Sequence, residues 1–150
     1  MPAGKQLENK DLIVEAIAEA EAGTTGEIRV HLSHKLLEAD AMKSARKLFL
    51  KQEMHRNSRR NGVLLYVNLR KRKLAVVGDE GIHQRVGQAF WDRLAADLKE
   101  DLKSTHPENA IALAVVRLGE ELTRYFPSEE GKRLVRTPRA STVSNEVTED

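Results

Sequence analysis

Residues 60–78 read RNGVLLYVNLRKRKLAVVG, and the fold follows from how this stretch is parsed. Val63–Val67 is apolar at every position. A run so short with no polar face is a central strand covered on both sides. Arg60-Asn61-Gly62 punctuates its start, and Arg70-Lys71-Arg72-Lys73 separates it from a second run, Leu74-Ala75-Val76-Val77. Strands this close in sequence pair through a hairpin and are antiparallel.

Upstream, the period changes twice. Ile28, Val30 and Leu32 alternate with Glu27, Arg29 and His31, which predicts a strand over Gly26–Leu32 with one polar face. Before it, Ile13, Ile17 and Ala20 recur at helical spacing and Gly23 stops the pattern, giving a helix over about Asn9–Ala22. After it, Asp40 is a candidate N-cap for a helix burying Met42, Ala45, Leu48 and Phe49. The first two strands are therefore joined through a helix and are parallel.

Downstream of Gly78-Asp79-Glu80-Gly81, one long helical stretch carries Val86, Phe90, Leu94 and Leu98 four apart. A last helix opens at Pro107, buries Ile111, Ala114, Val115, Leu118, Leu122 and Tyr125 on one face, and ends at Pro127. The order α-β-α-β-β-α-α gives the α/β class, a small mixed sheet with helices on both faces. The folded domain is expected over residues 1–127. The polar stretch 128–150 is expected to be a C-terminal tail, disordered or loosely attached.

Composition narrows the function classes. The chain has 150 residues, 40% hydrophobic and 32% charged, which suits one domain with a single core. Cysteine is absent, so disulfide scaffolds, thiolate zinc sites and cysteine nucleophiles are excluded. A net charge of +2 does not mark a nucleic-acid binder. The start of the chain carries no secretory pattern and no run approaches a membrane span, so a cytoplasmic monomer without a membrane anchor is expected.

Topology gathers three segments at one end of the sheet: Thr24–Glu27, Arg60–Gly62 and Gly78–Gly81. They supply the carboxylates of Glu27, Asp79 and Glu80, the amide of Asn61 and the guanidinium of Arg60. Hard oxygen donors from several loops suit Ca²⁺ or Mg²⁺, which assigns Glu27, Asn61, Asp79 and Glu80 as a metal set. The competing reading is a turn whose acid caps the next helix. The opposite end holds Arg70, Lys71, Arg72 and Lys73, a basic tip for an anion or, less readily, a nucleic acid. No exposed aromatics are interleaved for base stacking, which favours a solvated tip. His31 and His34 fall on opposite faces of an ideal strand, and His83, beside the acidic turn, is a candidate acid or base. No nucleotide, phosphate-loop or zinc-protease pattern is present, so no organic cofactor is expected.

The motifs TTGEIRVH (24–31), RRNGVLLYV (59–67) and LAVVGDEGIHQRVGQAFW (74–91), with a final helix ending in YFP, resemble the TPM domain family, named for thylakoid-lumen, photosystem-associated and receptor-modulating members. The resemblance runs from about Glu15 to Pro127. It implies a Rossmann-like three-layer α/β/α sandwich, phosphatase activity as reported for plant members, and Ca²⁺ binding. By motif it carries Glu27, Arg60, Asn61, Asp79 and Glu80. Many relatives add a signal, a membrane span and an acidic Asn-Glu-Leu-Pro segment; here that last segment reads Ser128-Glu129-Glu130-Gly131-Lys132-Arg133. In a phosphatase, Arg60 with a metal would stabilise the phosphoryl oxygens and Asp79 would be the nucleophile. Asp79 cannot readily be both metal ligand and attacking group. The expected function is therefore a cation-binding accessory or assembly domain with a protein partner, ahead of a metal-assisted phosphatase.

Overall fold

The computed structural model describes residues 9–133 and 147–150. The elements are α1 (Asp11–Ala22), β1 (Glu27–Leu32), α2 (Ala41–Lys51), a 3₁₀ turn (Met54–Arg56), β2 (Gly62–Asn68), β3 (Lys73–Gly78), α3 (Glu80–Val86), α4 (Gln88–Ser104), α5 (Pro107–Tyr125), α6 (Glu129–Arg133) and β4 (Val147–Glu149). The sheet order is β3-β2-β1-β4. β1 and β2 are parallel, and β2 and β3 form the antiparallel hairpin read from the sequence.

Every residue of β2 is buried, because helices cover both faces. Its side chains alternate between two cores, as a strand's period of two requires. Val63, Leu65 and Val67 enter the larger core with Ile13, Ile17, Leu98, Ile111, Val115 and Leu118, beneath α1, α4 and α5. Leu64 and Tyr66 enter a smaller core with Ala45, Phe49 and Met54, beneath α2. This is an α/β/α sandwich with a mixed sheet. Asp40 caps α2 by accepting from the Lys43 amide at 3.1 Å.

Two features depart from the sequence reading. The long helical stretch is two helices, broken at Gly87, whose φ of 79° is left-handed backbone that glycine adopts without steric cost. Beyond Pro127 the described residues are not detached. The Ser128 hydroxyl donates to the Ala22 carbonyl at 2.7 Å, and Gly131 lies against Gly23 so closely that a Cβ would sit 2.2 Å from its oxygen. Farther on, β4 adds to β1 in parallel, pairing Val30 with Val147, His31 with Thr148 and Leu32 with Glu149. The part of the expected tail at 134–146 lies outside the described residues.

Candidate functional site

The three segments expected to converge do meet, at the amino end of β1 and β2. The Glu27 amide donates to the Asn61 carbonyl at 3.4 Å, and the Asp79 amide donates to the Gly62 carbonyl at 2.9 Å. Arg60 takes φ 53°, a left-handed conformation that costs a side-chain-bearing residue some energy. That conformation turns its carbonyl to the Ile82 amide at 3.2 Å. Gly81 sits beneath the same turn, where a Cβ would lie 2.3 Å from the Arg59 carbonyl oxygen, so no larger residue fits.

Within this frame the Arg60 guanidinium forks onto Asp79. Nε donates to Oδ2 and a terminal nitrogen to Oδ1, both at 2.8 Å. Oδ1 also accepts from the Glu80 amide at 2.8 Å, capping α3. The Asp79 side chain is only 5% exposed, against 44% for Arg60 and 65% for Glu80. Hydrogen bonding to Asp79, then its charge, raises the Arg60 pKa further. The turn was expected to cap the helix, to hold a metal, or both, and the cap is present.

Glu27 faces a different opening, with Asn61 enclosed beside it. Asn61 is fully buried; its amide nitrogen donates to the Thr25 hydroxyl at 3.2 Å and its oxygen accepts from Asn57 at 2.8 Å. Glu27 stands 3.5 Å from Arg29. Beside them lies a cleft of about 550 Å³ lined by Thr25, Glu27, Asn57, Ser58 and Arg59. Glu27 and Asn61 are thus on the β1 side, and Asp79 and Glu80 on the β3 side with Arg60 between the acids. Among the described residues, no three of His, Asp and Glu cluster closely enough to hold a metal. Ca²⁺ takes six to eight oxygens. The four residues as arranged do not form such a donor set.

His83 accepts a hydrogen bond on Nδ1 from the Trp91 indole at 2.9 Å, which fits a packing role. At the basic tip Arg70, Lys71 and Arg72 are exposed. Lys73 instead turns its ammonium back onto the Glu38 and Ala39 carbonyls. Only part of the expected anion patch is therefore free to meet a ligand.

The carboxyl end of the parallel strands holds a polar cluster that the sequence did not single out. The buried Glu38 carboxylate accepts from the Tyr66 hydroxyl at 2.6 Å, Ser44 at 2.7 Å and Asn68 at 3.1 Å. Burial alone would raise its pKa; the bonds from Tyr66, Ser44 and Asn68 outweigh that and leave it lowered. Burial, then the bond to Glu38, pushes the Tyr66 phenol up. His31, 4% exposed, stacks on Tyr66 with ring centroids 5.5 Å apart. The one legible signal was a tyrosine with an asparagine two residues on, at the end of an otherwise apolar run.

The family model described as the TPM domain matches residues 6–121. Among solved structures, the NMR structure of BA42 protein from the psychrophilic bacterium Bizionia argentinensis is similar at 28% identity with a TM-score of 0.78, covering 97% of each chain. No curated protein matches. Among the described residues, no helix is long and apolar enough to cross a membrane.

Proposed function

This chain belongs to the TPM domain family, and from that premise we propose that it is a non-catalytic accessory domain that helps assemble or maintain a larger complex through a protein partner. The observation that carries this reading is the fork between Arg60 and Asp79. A carboxylate nucleophile needs an accessible oxygen lone pair aimed at phosphorus, whereas the Asp79 side chain is only 5% exposed and both its oxygens are turned onto one guanidinium at 2.8 Å. The same fork draws Arg60 away from the task of stabilising phosphoryl oxygens. A divalent cation shared by Glu27, Asn61, Asp79 and Glu80 would first have to displace Arg60, so no step of the proposed role runs through Ca²⁺ or Mg²⁺.

The test is hydrolysis of an aryl phosphate by purified protein with and without millimolar Mg²⁺ or Ca²⁺. Turnover is expected at background and unchanged in Asp79→Ala. Loss of a principal electrostatic or nucleophilic group typically lowers a true rate by about 10²–10³. Metal-dependent turnover that falls this far in Asp79→Ala, with the circular dichroism spectrum retained, would replace the accessory reading by the phosphatase.

A further inference from the structure

Among the described residues, the outer edge of β1 receives a strand from far along the chain, and the receiving surface is chemically specific. Residues Val147–Asp150 are each met by something different. Val147 packs against the larger core. The Thr148 hydroxyl lies 2.8 Å from His31 Nδ1. The Glu149 carboxylate takes the Lys10 ammonium and, at 2.7 Å, His34 Nε2. Asp150 accepts from the His34 backbone amide at 2.6 Å and lies 3.1 Å from His31 Nε2. Burial alone would raise the Asp150 pKa, but bonds from Ser33, the His34 amide and His31 bring it to about 2.

The receptor is built without the segment it holds. Lys10 precedes α1, while His31, Ser33 and His34 run through and past the end of β1. His31 is fixed from behind by its stack on Tyr66, which Glu38 fixes in turn. Both ring nitrogens are thereby aimed at the edge. His34 lies beyond the strand, so strict alternation does not apply to it and both rings reach the same segment. The occupant, by contrast, is lightly held. It pairs over three residues and brings one partly buried apolar side chain, and its two acids keep 33% and 28% of their side-chain surface in solvent. A strand this short contributes little by itself.

A preformed reader and a weak tethered occupant are the elements of strand-addition recognition, in which main-chain bonds give affinity and side-chain receptors give selectivity. We infer that the β1 edge with Lys10, His31 and His34 is a docking site for an extended acidic segment of a partner protein, of the pattern apolar–Thr–acid–acid, and that residues 147–150 fill it as an internal stand-in. The inference supplies a contact surface to the accessory reading without depending on the Arg60–Asp79 fork, since a phosphatase would keep this edge.

The probe is a fluorescein-labelled peptide, SNEVTED, identical to residues 144–150, titrated against full-length protein by anisotropy. In the full-length variant Glu149→Lys with Asp150→Lys, Lys10 repels the internal segment and the edge is vacated. The peptide should bind this variant about tenfold more tightly than the wild type, where the internal segment competes. It should shift the amide signals of Val30–His34. Adding Lys10→Glu and His34→Ala, both on exposed side chains, should weaken it about tenfold. Their exposure keeps the fold intact in a way that altering buried His31 would not. Equal binding to wild type and vacated variant, equal binding of a charge-reversed SNEVTKK peptide, or no binding to the vacated variant overturns the proposal. A wild-type dimer that the vacated variant abolishes would make the occupant a second copy and overturn the foreign partner. These results are read independently of phosphate hydrolysis, so this site and the accessory reading fail separately.

Discussion

At the amino end of the parallel strands the Asp79 carboxylate is buried, but its partner Arg60 and the neighbouring Glu80 are open to water. At the carboxyl end Glu38, Tyr66, Asn68 and His31 are all but sealed. The first end is made by neighbours along the chain, two loops and a helix start, and solvent screens the charge that faces outward. The second is drawn from β1, α2 and its preceding loop, β2 and a strand more than a hundred residues from β1. Its one buried carboxylate is satisfied chiefly by hydrogen-bond donors, with the charge of Lys35 a smaller contribution. Unpaired polar atoms are costly only where water cannot replace the lost partner. Equal-looking substitutions should therefore have unequal effects at the two ends.

The largest expected effect is at the sealed end. Glu38→Ala removes the acceptor of the Tyr66 hydroxyl and deprives the Ser44 hydroxyl and Asn68 amide of the same carboxylate, and should destabilise the protein by about 3 kcal/mol. Asp79→Ala at the open end loses the cap of α3 and should cost about 1–2 kcal/mol. Urea unfolding with unchanged m-values measures both. The reverse order would mean that Arg60 and Asp79 are the more deeply committed pair and that the contrast between the ends is misdrawn.

The next effect concerns β4 alone. Asp150 titrates at about 2 instead of 3.8 when seated. A depressed carboxylate stabilises the state that binds it above the ordinary pKa, and that contribution disappears as pH falls through the seated value. The Asp150 contribution to docking should therefore be intact above pH 4 and be lost between about 4 and 2, about 2 kcal/mol at most. Glu149, lowered by its bonds to Lys10 and His34, weakens docking in the same direction as it protonates. Carboxyl carbon shifts of Asp150 read the midpoint directly. A midpoint near 3.8 would show that the segment is not seated in solution, and the sealed end would lose its outer layer.

Local chemistry decided what the sequence revealed. The apolar run of β2 and the hairpin after it follow from residue type at adjacent positions, as does the Asp40 cap. The convergence of Glu27, Asn61 and Asp79 segments at one end followed from topology. The partition of those residues did not, because it turns on a guanidinium reach that spacing cannot show. The helix break at Gly87 was hidden by apolar spacing that continues through it. The Glu38 cluster was hidden for a different reason: its members sit at positions 31, 38, 44, 66 and 68, and no short pattern links them. β4 was hidden because a polar segment docks by side-chain receptors, which hydropathy does not register.

The smallest expected effect isolates the ion pair from the backbone that carries it. The chain enters β2 and β3 through arginines in left-handed backbone, Arg60 at φ 53° before β2 and Arg72 at φ 56° before β3. Such a conformation costs roughly 1–2 kcal/mol for a residue with a Cβ, and glycine removes that cost while adding roughly 0.5–1 kcal/mol of entropy to the unfolded chain. Arg72 is exposed at the hairpin tip and no side-chain bond of Arg72 is present among the described contacts. Arg72→Gly should thus be neutral to slightly stabilising, by no more than about 1 kcal/mol. Arg60→Gly receives the same backbone relief and loses the fork onto Asp79, so it should be the less stable of the two. Both variants change the net charge equally, which removes that term from the comparison. Raising the salt concentration should narrow the gap, because Arg60 is partly solvated. Equal thermal midpoints for Arg60→Gly and Arg72→Gly at low salt would mean that the fork adds nothing to folding. Asp79 would then be free to turn toward a ligand, and the contrast between the two ends would rest on the sealed cluster alone.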